Sequence, residues 1–221
     1  MRRIPRFGKV VLGVTGLWST AIAMAQSPIP IADRWELFVD RCLIERMDAG
    51  VELRLHEPTP QEVVMVHDRP WEGNSSGYHT IFQDGPIYRM YYRGWNYDMS
   101  TQKPTHPAVV CYAESRDGIH WERPALDMVE FEGSKQNNII WAGDGTHNFV
   151  PFKDANPQCQ PDARYKAVGQ SEGKYKNLLL AFQSADGLHW RLTAEEPILK
   201  QGAFDSQNLA FWDTVRQEYL C

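Results

Sequence analysis

The 221-residue chain lacks most of the signatures by which catalytic chemistry announces itself. Its four cysteines, Cys42, Cys111, Cys159 and Cys221, form no C-x-x-C pair, which argues against a structural zinc site, and their spacing fixes no disulfide pairing. Seven histidines occur without an H-x-x-x-H or H-E-x-x-H spacing, so neither a metal nor a cofactor is expected. A G-x-S-x-G elbow and a glycine-rich phosphate loop are both missing, which leaves serine-hydrolase and nucleotide chemistry unsupported. Positive charge is short as well: the formal net charge is −5, so a basic groove for nucleic acid is not expected. No stretch keeps an apolar 3.6-residue period long enough for a substantial helix.

Long apolar runs are absent too, with one exception at the start. Arg2, Arg3, Arg6 and Lys9 precede an apolar run from Val10 to Ala23, and Ala23-Met24-Ala25 is a small-x-small cleavage site. Residues 1–25 are therefore read as a secretory signal peptide, and 26–221 as the mature part, without a linker that would divide it. The run is too short to span a bilayer comfortably, so a secreted or periplasmic protein with no membrane partner after signal removal is expected. Losing the signal removes four positive charges and makes the remainder more acidic still.

What is present is β-type and repeats. Short runs rich in aromatic and β-branched residues alternate with Asp-Gly turns, which assigns the all-β class. One unit reads Phe-x-Asp followed by a Tyr-led strand, and it occurs at Phe82-Gln83-Asp84 to Tyr88, Phe152-Lys153-Asp154 to Tyr165, and Phe211-Trp212-Asp213 to Tyr219. A second unit, Ser-x-Asp-Gly-x-His-Trp, occurs at Ser115–Trp121 and Ser184–Trp190, offset by 69 residues. Fixed periods of this size mark repeat architectures, and two hairpins per period match the four strands of a propeller blade. Asp-Gly supplies the positive-φ turn of a tight hairpin, Ser and Asp can bond the loop backbone, and Trp packs between sheets. Trp121, Trp190, His120 and His189 are accordingly read as structural. Two blades and the start of a third do not close a ring, so the chain is expected to be the N-terminal part of a truncated β-propeller domain. Before the first unit, Trp35–Val39 and Val51–Leu55 are strand candidates.

In a propeller, residues just ahead of each inner strand converge on the central channel. Here those stretches carry Glu72, Asp144 and Asp205. Glycoside hydrolysis needs two carboxyl groups across the scissile bond, one protonated and one ionised, and acids around a channel could meet that need. A second reading makes all three turn residues, because Gly73, Gly143 and Gly145 flank two of them. Asn74, His79, Arg93, His147, Asn148, Gln207 and Asn208 are suited to bind hydroxyls, and Trp71, with Tyr78, Trp95 and Trp212, offers flat faces for a sugar ring. A carbohydrate is thus the expected substrate.

The Ser-x-Asp-Gly-x-x-Trp hairpins, the strand Tyr88-Arg89-Met90-Tyr91-Tyr92-Arg93-Gly94 and the acid-bearing loops resemble the five-bladed propeller glycosidases that include invertases, levanases, arabinanases and xylosidases. The resemblance covers about residues 60–221 and implies a hydrolase acting through acids on the first three blades. It would place Glu72 in the base or nucleophile slot, Asp144 in the modulator slot and Asp205 on the third blade. The family's usual order is Asp, Asp, Glu, whereas this chain reads Glu, Asp, Asp. The resemblance therefore leaves the acid donor to Glu195, Glu196 or a residue beyond Cys221. The hairpins are also similar to the sialidase Asp box, although Asp117-Gly118 and Asp186-Gly187 lack the residue that separates Asp from Gly there. A non-catalytic propeller that binds glycan or protein stays open beside both enzymes.

Overall fold

The computed structural model describes residues 28–32, 34–173 and 175–221. The signal peptide read from residues 1–25 lies outside them. The chain divides at Pro60–Gln61 into two compact units. The described part of the first, residues 28–60, holds no strand. The candidates Trp35–Val39 and Val51–Leu55 are irregular there, with Trp35 101% and Leu55 92% exposed. Their apolar, β-branched composition is real, but a strand needs a partner for its amides and a surface for its side chains. None is supplied within that unit.

The second unit is all-β, and its described residues contain no α-helix, only a 3-10 turn at Pro161–Ala163. Two four-strand runs are laid down in chain order as antiparallel neighbours. The first comprises β1 (Gly77–Asp84), β2 (Ile87–Gly94), β5 (Val109–Ser115) and β6 (Trp121–Glu122), with a small hairpin of β3 (Tyr97–Asp98) and β4 (Lys103–Pro104) as an excursion. β7 (Ile139–Ala142) completes it by pairing with the other end of β5. The second comprises β8 (Val150–Lys153), β9 (Tyr165–Gln170), β10 (Leu179–Ser184) and β11 (Arg191–Leu192), and Leu199 bridges Leu179 where β7 pairs in the first. A third hairpin, β12 (Phe211–Asp213) and β13 (Glu218–Leu220), begins the pattern again.

Burial explains why the middle strands read as nearly continuous apolar runs. On β5, Val110 and Tyr112 face a core shared with Phe149, Tyr165, Leu180, Phe182 and Trp190 of the second sheet. Val109, Cys111 and Ala113 face the opposite way into a core with Met90, Tyr92 and Ile139. A strand covered on both faces has no solvent side to carry polar residues, so period-two alternation disappears from its sequence.

The two Ser-x-Asp-Gly-x-His-Trp hairpins are superimposable in their bonding. Asp117 Oδ1 accepts from the amides of Ile119 and His120 at 2.8 Å each, and Asp186 Oδ1 from those of Leu188 and His189 at 2.8 and 2.9 Å. The Ser115 and Ser184 hydroxyl oxygens each accept the following glycine amide at 2.9 Å, with Gly118 and Gly187 at φ of 78° and 80°. Trp121 and Trp190 each donate Nε1 to the glycine carbonyl at 3.0 Å, and His120 and His189 sit on the Asp carboxylate at 2.6 and 2.7 Å. The serine, aspartate, glycine, histidine and tryptophan of the motif are thus all spent on the turn. Trp190 is buried, while its twin Trp121 is half-buried.

The Phe-x-Asp repeat has a purpose the spacing does not announce. Asp84 accepts from Arg89 at 2.6 Å within its own sheet and from the Tyr165 hydroxyl of the next sheet at 2.6 Å. One repeat later, Asp154 accepts from Lys166 within its sheet and from the Tyr219 hydroxyl of the next hairpin at 2.6 Å. Each Asp is thus a staple between consecutive repeats, and the strand-leading tyrosine is its donor. Sheet one also grips the second hairpin turn: Tyr91 donates to Gly187 O at 3.0 Å and Arg89 to Asp186 O at 2.9 Å.

Candidate active site

β1 and β2 run in register from Asp84–Ile87 back to Thr80–Tyr91, then slip, so that Tyr78 and His79 both stand against Tyr92 before Gly77 meets Arg93. Tyr78 adopts φ 54° inside this bulge. A bulge lets consecutive side chains leave the strict in–out alternation. Here it sends Tyr78 toward Arg93 and His147, and His79 onto Tyr92. Two polar groupings result, one on each side of the bulge.

The first surrounds Glu72, which is 2% exposed. Its carboxylate accepts from the Tyr92 hydroxyl at 2.5 Å, from the Arg69 amide at 3.1 Å and from Arg123 Nη1 at 2.8 Å. Burial works to raise its pKa. His67, whose Nδ1 stands 4.0 Å away, together with Tyr92, the Arg69 amide and the Arg123 charge, more than offsets that and holds the carboxyl below its ordinary value. Arg123 is further held by Asp68 at 3.0 Å, and Asn138 bridges Tyr92 and the Trp71 indole at 2.9 and 2.8 Å. Trp71 packs edge-on to Phe131, so its ring belongs to the core. His79 stacks on Tyr92 at 5.5 Å and pairs with His67, their Nε2 atoms 3.0 Å apart.

The second grouping is open. Arg93 lies between the rings of Tyr78 and Trp95 at 4.7 and 4.8 Å, donates to Ser75 O at 2.8 Å, and lies 3.3 Å from His147 Nδ1. Burial pushes the Arg93 pKa down. His147 in turn meets Glu172 Oε1 at 3.1 Å. His147, Gln170, Glu172, Lys176, Phe204 and Asp205 line one cavity of about 570 Å³. Asp205 is exposed, and among the described residues its Oδ1 accepts only the amide of Ser206, at 2.9 Å, a residue at φ 71°.

The remaining sequence candidates take up positions around these groupings. Asp144 does not line the cavity but organises the loop that does: its carboxylate accepts from the Ser171 hydroxyl at 2.5 Å and from the amides of Glu172 and Gly173 at 2.7 and 2.9 Å. Asn148, fully buried, is a staple: its Nδ2 donates to the carbonyls of Phe204 and Ser206, and its Oδ1 accepts the Gln170 amide at 2.7 Å. Asn208 braces the same loop on Phe204 O at 2.9 Å. Asn74 exchanges bonds with the Tyr97 backbone at 2.9 Å each way. Gln207 reaches His79 O and Thr80 Oγ1, both at 3.4 Å, tying the Asp205 loop to the bulge. Of the three acids, Asp205 opens on the cavity, whereas Glu72 and Asp144 are spent on neighbouring groups.

Glu172, Lys176, His67 and Arg123 escaped the sequence reading. The repeat singles out acids ahead of strands, and Glu172 sits in the β9–β10 loop instead. Its signal was Ser171-Glu172-Gly173, an acid in a small-residue loop between two apolar strands.

No family model matches the chain. It is 28% identical over 151 residues to two proteins of Mycobacterium tuberculosis, described as Uncharacterized protein MT1551 (strain CDC 1551) and Uncharacterized protein Rv1502 (strain H37Rv), which covers 66% of this chain and 42% of each relative. The chain thus spans less than half the length of the curated relatives it matches. Among solved structures it is similar to a glycosyl hydrolase from Bacteroides ovatus, with 20% identity, a TM-score of 0.36 and coverage of 63% of this chain and 39% of that one. A second chain from the same organism, provisionally described as a glycoside hydrolase, gives 17% identity, a TM-score of 0.33 and coverage of 55% and 31%. At those scores neither likeness bears on the fold or activity of this chain.

Proposed function

We propose that this chain comprises two repeat units and part of a third of an exported β-propeller glycoside hydrolase acting on poly- or oligosaccharides. The propeller reading is supported by the four-strand run that both sheets share in the same order, the same hairpin and the same Asp-to-Tyr staple to the next repeat. Export is proposed on the signal pattern of residues 1–25.

The observation that carries the activity is one open cavity onto which two carboxylates face, Asp205 and Glu172, with a histidine on the second. Glycosidases use such a pair with divided roles. Asp205, exposed on the cavity wall, suits the base or nucleophile. Glu172, in contact with His147 Nδ1, suits the group that carries the proton to the leaving oxygen. Asp144 holds Glu172 through its loop, and Asn148 and Asn208 hold Asp205 through theirs, so the sequence candidates enter this reading chiefly as supports.

The test is turnover of a panel of aryl glycosides and polysaccharides by the protein and by Asp205→Asn and Glu172→Gln. Loss of about 100- to 10,000-fold in each variant with unchanged folding is expected. Turnover that survives Asp205→Asn removes the proposal. Binding without turnover, weakened by Asp205→Asn, would identify a glycan-binding propeller, the reading favoured by the commitment of Glu72 and Asp144 to structural bonds.

A further inference from the structure

The pairing of His67 with His79 has a direction in its geometry. The two Nε2 atoms are 3.0 Å apart, so one ring donates and the other accepts. His67 is buried to 20% side-chain exposure, and its Nδ1 has no hydrogen-bond partner but lies 4.0 Å from the buried carboxylate of Glu72. His79 is exposed, and its Nδ1 makes no hydrogen bond among the described residues. The bulge in β1 aims it there, stacked on Tyr92. No third His, Cys, Asp or Glu among the described residues completes a metal-ligand set with the pair.

The tautomers follow from the charge of Glu72. A negative carboxylate favours an N–H at the facing Nδ1 of His67 over a lone pair. That leaves His67 Nε2 as the acceptor, makes His79 Nε2 the donor, and leaves the solvent-side Nδ1 of His79 as an unprotonated base. The opposite arrangement would point the His67 Nδ1 lone pair at Glu72 and is disfavoured. Around the pair, Arg123 donates to Glu72, to Asp68 and to the Val66 carbonyl, the Tyr92 hydroxyl is engaged with Glu72, and Cys111 is buried on the adjoining strand. Glu72 is therefore the negative group standing against the His67 ring.

We propose that Glu72, His67 and His79 form a proton relay in which His79 Nδ1 accepts a proton from a bound hydroxyl or water while His67 is its positioning residue. As the proton arrives at His79 Nδ1, the proton on His79 Nε2 passes to His67 Nε2. The positive charge then rests on the inner ring beside Glu72, and no oxidant or further reactant is needed. Gln207 ties the backbone of His79 to the loop of Asp205, and the catalytic use of the relay rests on the proposed glycosidase. Burial and the closeness of His67 push the His79 pKa below its ordinary value against the opposing pull of Glu72, so the ring stands unprotonated near neutrality.

The experiment is nitrogen-15 NMR of the imidazoles in the full chain, titrated between about pH 5 and 8. The relay requires an Nε2–H tautomer at His79, an Nδ1–H tautomer at His67, and coupled uptake of one proton by the pair. It also requires that His67→Gln move the His79 titration. An Nδ1–H tautomer at His79, or titration that ignores His67→Gln, overturns it, and the wild-type spectrum alone is decisive should the variant fold poorly. With a turned-over glycoside in hand, His79→Gln should lower kcat at least about 100-fold, and His67→Gln about tenfold with KM within about twofold and a displaced acid limb of the pH profile. Because the tautomers are read without substrate, a protein inactive on every glycoside would end the glycosidase reading and leave the relay intact. Activity with uncoupled histidines would do the reverse.

Discussion

Glu72 and Asp205 look alike in the sequence: each is an acid lying a few residues ahead of an inner strand. In the structure they are opposites. Glu72 is enclosed and accepts from a tyrosine, an amide and an arginine, which takes up three of the roughly four lone-pair sites of its carboxylate. Asp205 stands exposed on a cavity wall, where its carboxylate accepts the amide of the next residue. The difference comes from what the neighbouring strand brings. β2 delivers Tyr92 and the segment after β6 delivers Arg123 to Glu72, whereas the loop of Asp205 is anchored through its backbone by Asn148 and leaves the carboxylate out. Position ahead of a strand selects a location, and the surroundings decide the role.

The largest expected effect breaks the enclosed side of that comparison. Glu72→Gln leaves the Arg123 guanidinium, 16% exposed, without its inner partner and should cost about 3–5 kcal/mol in denaturant unfolding. Asp205→Asn should stay within about 0.5 kcal/mol of wild type in the same measurement. Equal losses would erase the distinction. A smaller loss, about 3 kcal/mol, is expected for Asp84→Asn, because Arg89 and Lys153 both converge on that carboxylate. Smaller again are Tyr165→Phe and Tyr219→Phe, each removing one hydroxyl donor from a staple for about 1 kcal/mol. Tyr165→Phe should be non-additive with Asp84→Asn in a double-mutant cycle.

The staple also sets a pH dependence. Burial opposes ionisation of Asp84, but Lys153, Tyr165 and Arg89 outweigh it and depress its pKa from 3.8 to about 2. A depressed carboxylate stabilises the fold above its unfolded value, and that contribution fades as pH falls from about 4 through about 2. Unfolding followed over that window should show the decline in wild type and a flatter curve in Asp84→Asn.

Much of the fold was legible because hairpins are local. Ser-x-Asp-Gly-x-His-Trp closes its own turn, so reading Trp121 and Trp190 as structural required nothing distant. The Phe-x-Asp repeat was visible too, but its partner is the tyrosine one repeat on, and no local rule predicts a bond between Asp84 and Tyr165. The strands expected at Trp35–Val39 and Val51–Leu55 failed for the complementary reason: composition proposes a strand, and only a pairing edge makes one. At the site, sequence reached Asp205 and His147 but missed Glu172, since the loop that brings it to His147 is shaped by Asp144 from a different segment. Asp144, expected as a channel acid, bonds the Ser171–Gly173 segment of that loop.

The central claim is that chemistry resides at the Asp205–Glu172 cavity and not at the enclosed Glu72. Its most direct test is the turnover of a responsive glycoside per folded molecule, compared between Asp205→Asn and wild type. The account predicts a loss of about 100-fold or more with an unchanged unfolding transition. Wild-type turnover by Asp205→Asn would contradict it.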